Sequence, residues 1–467
     1  MVFTFSQGLL VTRKAPELIV PERPTPREVK QISDIDDQES LRFQIPLLFF
    51  YKNDPSPSMQ GRDPVKVIRE AISKALVFYY PLAGRLKEGY NRKLVVECNA
   101  EGVLFIEADA NFTLEQLGDD IQPPCPYLNQ LIYDVPGSEG ILGCPLLLIQ
   151  VYISCFAIGG FIFVFIGDAF DMQRIHLRFN HTMCDAFGLV QFLKAIEDMA
   201  RGERSPTLFP IWQRQILNAR NPPQVTCIHH EYDEVNTNEV PSDNMAHKSF
   251  YFSLKGIKAL RNQLPFHLKD CSTFELLLAF LWKCRTIALK LQPEEIAKVC
   301  CIVNVRGKRY KMDIPPGYYG NAFTFSAVCS KAEQLCKNPI GYAVELAKAQ
   351  MNEEYIRSVA DLMVIKGRRI KFSTRGNFIV SDLRNVGLGD VDFGWGKPIY
   401  AGTAGAVAVI SFFTKYQNKN GEPGILVPIC LPQSAMERLQ EELKGFMIQG
   451  SMEDLCNINQ TQIFSKL

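Results

Sequence analysis

Two hydrophobic periods alternate along the chain. In LVVECNAEGVLFIEADA, Leu94 to Ala110, apolar residues form short strand-like runs, whereas PVKVIREAISKALVFYYPLAG, Pro64 to Gly84, carries them at helical spacing. The alternation continues to the C-terminus without a repeat of fixed period, which predicts an α/β fold with mixed sheets and disfavours a solenoid or propeller. The N-terminal MVFTFSQGLLVTRK alternates apolar and polar residues and reads as a strand rather than a leader. Cys144 to Gly167 is free of charge up to its last residue, but Gln150, Ser154 and the pair Gly159, Gly160 interrupt it. Its Val, Ile and Phe content predicts two buried strands around a glycine turn rather than a membrane helix. At 467 residues the chain exceeds one ordinary core. The polar, proline-bearing stretch 201–249 therefore predicts a crossover between an N-terminal domain, 1–200, and a C-terminal domain, 250–467.

Composition narrows the function classes. Apolar residues make up 47% and charged residues 22%, as in a folded globular chain, and the net charge of +1 gives no reason to expect a nucleic-acid partner. The 14 cysteines are scattered, with Cys300 and Cys301 the adjacent pair, so neither a disulfide framework nor a metal ribbon is predicted.

The period changes within RFNHTMCDAFGLVQFLKAIEDM, Arg178 to Met199. Ile175 to Asn180 suits a strand, and Leu189, Val190, Leu193, Ile196 and Ala200 then recur at helical spacing. His181 thus falls on a strand-to-helix loop, where binding groups collect, and Asp185 stands where a helix N-cap belongs. A metal site would need more ligands than six histidines without H-x-x-x-H or H-E-x-x-H provide. Cys184 as a nucleophile lacks any G-x-S-x-G-like elbow. A histidine can alternatively remove a hydroxyl proton near neutral pH, or simply pack, and spacing alone leaves these two open.

The wider pattern decides between them. His181-Thr-Met-Cys-Asp185 has the form H-x-x-x-D, and D-F-G-W-G follows at Asp392 to Gly396. YPLAGRL (Tyr80 to Leu86), NVRGKR (Asn304 to Arg309), GYYGNA (Gly317 to Ala322) and GEPGILVPICLP (Gly421 to Pro432) accompany them. Together these resemble the plant BAHD acyl-CoA-dependent acyltransferases over nearly the whole chain. Pro16 to Pro46 and Val380 to Gly402 most resemble the alcohol acyltransferases that include benzyl alcohol O-benzoyltransferase.

The resemblance implies two chloramphenicol-acetyltransferase-like domains, each a mixed sheet flanked by helices, with an active-site tunnel between them. It implies acyl-CoA as co-substrate, a small alcohol as acceptor, no bound cofactor or metal, no membrane partner, and a monomer. His181 would be the general base in direct transfer within a ternary complex. Asp185 would pair with Arg306 and hold the loop. Asp392 and Trp395 would be structural members of their motif, since two glycines around a tryptophan predict a tight bend with a packed ring. Ser381 resembles a position from which some family members offer a hydroxyl near the reacting carbonyl, against the alternative of an ordinary strand-end serine. On the CoA side, Ser272 and Thr273 resemble a lining segment. The basic clusters containing Lys308, Arg309, Arg368 and Arg369 are candidates for the CoA phosphates, against the alternative of a solvated charged surface.

This sequence departs from the family at two places, one of them large. After Gly159-Gly160-Phe161-Ile162-Phe163, about a dozen residues, Val164 to His176, look added before LRFNHTMCD resumes. They fall in the strand that delivers His181, where a slip of one residue reverses the side-chain face. Leu383 is a smaller departure, standing where relatives often carry tryptophan. The C-terminal Ser465-Lys466-Leu467 matches a peroxisomal import address, against the alternative of a cytoplasmic location. The expected function is ester formation from benzoyl-CoA and benzyl alcohol. The alternatives are an acetyl-CoA-dependent enzyme for aliphatic or alkaloid alcohols, and an impaired acyl-CoA-binding homologue arising from the insertion.

Overall fold

The computed structural model describes residues 11–52, 54–110, 122–124, 135–138, 140–154, 172–233, 244–348, 352–368, 370, 376–406 and 409–447. The chain divides into two compact units. The first comprises Met1–Asn218, Ile314–Asn321 and Val386–Ala404, and the second comprises Ala219–Asp313, Ala322–Asn385 and Gly405–Leu467.

The first unit is built on a mixed sheet of β1 (Val11–Arg13), β2 (Glu17–Ile19), β4 (Gln44–Lys52), β7 (Val103–Ala110), β8 (Leu147–Ser154), β9 (Met172–Asn180) and β14 (Pro398–Thr403). Their order is β1-β7-β8-β9-β4-β14, with β2 also on β7. β7 and β8 run parallel, and the other pairs are antiparallel. β3 (Val29–Gln31), β5 (Arg85–Glu88) and β6 (Leu94–Glu97) form a separate three-stranded sheet. Leu47 to Tyr51 of β4 are all buried, as expected of a strand covered on both faces.

Two helices cover one face. α1 (Pro64–Phe78) has proline at its first position, and the Asp63 carboxylate accepts from Val65 N at 2.9 Å and Lys66 N at 3.3 Å. α2 (Ala186–Ala200) packs against it. Ile68 and Ile72 of α1 and Leu193 and Ile196 of α2 meet Phe49, Ile149 and Leu177 of the sheet around a small apolar void that Phe393 also lines.

The second unit has its own mixed sheet, ordered β10 (Met245–Ser253), β16 (Pro423–Pro432), β15 (Ile410–Gln417), β13 (Asn377–Asp382), β11 (Ile296–Asn304), β12 (Phe323–Lys331). β11 and β15 each run parallel to β13. α3 (Thr273–Leu289) is apolar nearly all round and buried, as such a helix must be, with α5 (Gln433–Met447) adding Met436, Leu439 and Leu443 to the same core. Between them in sequence lies α4 (Glu353–Ile365).

This division differs from the one read from sequence. The change of unit falls at Asn218, inside the stretch 201–249, but two pieces of the C-terminal half belong to the first unit. The cause is hydrogen bonding: β14 pairs antiparallel with β4, Ala401 opposite Phe49, and Ile211 N donates to Gly317 O at 2.8 Å. D-F-G-W-G therefore sits in the first unit. The stretch itself is more than a linker, since it carries the buried Arg214.

Of the charge-free segment, Leu147–Ser154 is strand, and 155–167 lie outside the described residues. No described helix is long and apolar enough to cross a membrane. The added residues divide similarly: 164–171 lie outside the description, while Met172–His176 form the first half of β9. That half is paired in unbroken register with β4 from Lys52 to Leu48 and, over residues 173–176, with β8 from Ile153 to Gln150.

Candidate functional site

β9 ends at Asn180, and the next five residues turn the chain into α2. The turn is held at its first residue, where His181 N donates to Phe43 O at 2.9 Å. The imidazole is half-buried between two rings, Phe43 at 5.6 Å and Phe179 at 5.8 Å between centroids, both edge-to-face. Its Nδ1 lies 3.1 Å from the carbonyl of Cys184. A carbonyl oxygen only accepts, so in the neutral ring Nδ1 carries the hydrogen and Nε2 carries the lone pair. Burial pushes the imidazole below its usual range, outweighing the upward pulls of backbone groups, Asp185 and Asp36. A neutral ring with a defined accepting nitrogen is the form a base requires.

Asp185 is the N-cap of α2, its carboxylate accepting from Gly188 N at 2.9 Å, as the sequence predicts. Asp185 is buried, and the cap fixes where the helix begins relative to the loop.

Two loop carbonyls are anchored from elsewhere in the same unit. Asn321 Nδ2 donates to His181 O at 2.8 Å, and Arg214 Nη2 donates to Met183 O at 2.7 Å. Both donors also reach Asp36, Asn321 Nδ2 at 2.8 Å to Oδ1 and Arg214 Nη1 at 2.8 Å to Oδ2. The guanidinium lies among the rings of Trp212, Tyr319 and Tyr318. Burial works against its charge, but Asp36 and the two tyrosines overcome that and hold its pKa above the usual value.

D-F-G-W-G is occupied with its own bend. Asp392 accepts from Gly394 N at 2.8 Å and meets Arg201 at 3.3 Å, and its backbone N donates to Glu197 at 3.1 Å. Gly394 and Gly396 have φ of +107° and +86°, where a side chain is strained, and a Cβ on Gly394 would come 2.7 Å from Met59. Trp395 and Phe393 are buried. The partners of Asp392 lie near the C-terminal end of α2, some twelve residues and so about 18 Å along the helix from the His181 loop.

The remaining candidates stand in the second unit. Ser272 caps α3 in a reciprocal capping box with Glu275, so its hydroxyl is engaged, and Thr273 accepts from Arg261 at 3.3 Å. Ser381 lies in β13, opposite Phe412. Arg306 follows β11, its backbone N donating to Asn304 at 3.0 Å. Lys308 and Arg309 are exposed, Arg309 against the Tyr310 ring. Arg368 is buried, unlike a residue of a solvated basic surface, and Arg369 and Ser465 to Leu467 lie outside the described residues.

Residues 9–445 match the model of the Transferase family. Alcohol acyl transferase 1 allele RGb of Malus domestica is 56% identical over 459 residues, 96% of this chain and 97% of the relative. The chain belongs to the transferase family, the BAHD acyltransferases. Benzyl alcohol O-benzoyltransferase of Petunia hybrida is 54% identical over 455 residues, 95% of either chain. Vinorine synthase, at 24% identity, shares the fold with a TM-score of 0.70 over 94% of this chain and 98% of its own.

As a BAHD member the chain is an acyl-CoA-dependent O-acyltransferase. Among the described residues no group of three or more His, Cys, Asp or Glu is placed to hold a metal. What sequence reasoning missed in this acyltransferase is the anchoring of the loop by Asp36, Arg214 and Asn321. Asp36 and Asn321 fall inside segments that carry the family resemblance, but Arg214 lies in the stretch read as linker, and nothing local marks its burial.

Proposed function

We propose that the enzyme forms esters from an acyl-CoA and a small alcohol by direct transfer, with benzoyl-CoA and benzyl alcohol as the preferred pair and His181 as general base. The observation that carries this reading is the hydrogen bond from Nδ1 to the Cys184 carbonyl, which leaves Nε2 as the proton acceptor. The alcohol oxygen gives its proton to Nε2 while attacking the thioester carbonyl carbon. The tetrahedral intermediate collapses as the carbon–sulfur bond breaks, and the imidazolium returns the proton to the CoA thiolate. The ester and free CoA leave, and no acyl-enzyme forms.

An aromatic alcohol is favoured by Phe43, a phenyl ring 42% exposed beside the base, and by the Petunia relative's named activity. An acetyl-CoA-dependent enzyme of aliphatic alcohols is the second reading, left open by the Malus relatives, whose name, alcohol acyl transferase, specifies neither a benzoyl donor nor an aromatic acceptor. The test is release of free CoA by purified protein given benzoyl-CoA with benzyl alcohol, and acetyl-CoA with hexanol, alongside His181→Ala. Alcohol-dependent release lost in His181→Ala supports the base, and the faster pair identifies the substrates. No release with any pair, while a variant lacking residues 164–176 turns over, supports the impaired form. The enzyme is further proposed to be a monomer directed to the peroxisome by Ser465-Lys466-Leu467, tested by an amino-terminal fluorescent fusion with and without that tripeptide.

A further inference from the structure

Asp36 is a fully buried carboxylate with five hydrogen bonds. Ser33 N donates at 3.0 Å and Ser33 Oγ at 2.6 Å, Arg214 Nη1 at 2.8 Å, and Asn321 N and Nδ2 each at 2.8 Å. A buried charge is strongly penalised unless it is paired and fully hydrogen-bonded, and here every donor is itself fixed. Ser33 is bound back by Asp36 N at 2.9 Å, and Arg214 lies among three aromatic rings. The cluster does more than satisfy itself, because Arg214 and Asn321 each have a second prong on a carbonyl of the H-T-M-C-D loop.

The prongs fall on His181 and Met183, on either side of Thr182. The third fixed point is Thr182 itself, whose N and Oγ1 donate to Asn180 Oδ1 at 3.1 Å and 2.7 Å. The acceptor that fixes the imidazole tautomer, the Cys184 carbonyl, belongs to the next residue of the same loop. Ring orientation therefore depends on the loop's path, and the path depends on donors organised around Asp36. Glycine is required for this packing at Gly320, where a Cβ would meet the Arg214 guanidinium at 2.3 Å.

We propose that Asp36, acting through Arg214 and Asn321, is the positioning centre of the acyl-transfer reaction, holding the His181 loop so that Nε2 presents to the alcohol. This rests on the reading of His181 as base. It assigns a kinetic role to three residues that touch no reacting atom.

Asn321→Ala is the cleanest variant, because it removes the bond to His181 O while the backbone N of residue 321 can still serve Asp36. The expected result is a folded enzyme whose kcat falls about 10- to 100-fold with KM for both substrates changed less than threefold, since a small misplacement of a base acts on the transition state. The acidic limb of its pH profile should rise toward 6.5 as the loosened ring regains water. If Asn321→Ala does not fold, Arg214→Lys is judged by the same criteria, since lysine keeps the charge but cannot span Asp36 and the Met183 carbonyl. Unchanged kcat and pH limb per folded molecule overturn the proposal and leave the cluster a purely structural one. Full activity in His181→Ala would overturn it separately, by removing the base it serves.

Discussion

At the residue scale the site turns on which nitrogen of one ring accepts a proton. His181→Ala should lower kcat by roughly 10²- to 10⁴-fold, the range of a positioned general base. Because burial pushes the imidazole down, the acidic limb of the rate profile should lie below the ordinary 6.5, with rate lost as pH falls through it and the base becomes protonated. A limb at or above 6.5 in the wild type would contradict the buried position. Asp185 separates a capping role from a charge role. Asp185→Ala should destabilise the enzyme by at least about 1 kcal/mol through loss of the cap, a contribution that Asp185→Asn, an equally good cap, should keep. A large loss of kcat in a stable Asp185→Asn would show that the charge itself matters. Phe43→Leu should weaken benzyl alcohol more than hexanol, read as the ratio of kcat/KM, if the exposed ring selects the acceptor.

At the element scale α2, which the loop enters, is placed by a close backbone approach. Gly188 lies in the first turn of α2, and alanine there would favour a helix by about 1 kcal/mol. Its Cβ, however, would stand 2.0 Å from the Tyr319 carbonyl oxygen, so the overlap dominates. Gly188→Ala should destabilise by about 1–3 kcal/mol in thermal or denaturant unfolding.

β9 makes a second prediction at this scale. Deleting Val164 to His176 joins Gly159-Gly160-Phe161-Ile162-Phe163 to Leu177, replacing the five residues Met172 to His176 by five others. Register against β4 and β8 is preserved from Leu177 onward, so His181 stays on the same face. The run MQRIH is exchanged for GGFIF, whose last three residues have the higher strand propensity. The deletion variant should melt higher than the full chain and retain or gain activity. Loss of folding on deletion would mean that the added residues are integral to the sheet.

At the scale of the whole molecule, legibility followed sequence distance. The cap at Asp185 and the bend in D-F-G-W-G are local, each made by residues within a few positions, and each was readable. The cluster around Asp36 joins residues 178 and 285 positions apart, and no periodicity encodes such a meeting. The unit boundary was obscured in the same way. Reading along the chain gives an N-terminal domain that ends near residue 200, yet β14 and Ile314–Asn321 belong to that unit and are supplied from beyond residue 313. The fragment 1–218 therefore lacks the strand that pairs with β4 and lacks Asn321, which gives Asp36 two of its five hydrogen bonds. An open edge along the apolar run Leu47 to Tyr51 invites association, and Asp36 would keep Arg214 with too few donors to offset its burial. Expressed alone, fragment 1–218 should give no cooperative thermal transition and should aggregate. Adding Ile314–Asn321 and Val386–Ala404 through short linkers should restore a cooperative transition. A fragment 1–218 that melts cooperatively as a monomer would show that the first unit is complete without the returning segments, and the two-part assignment along the sequence would then be the better description.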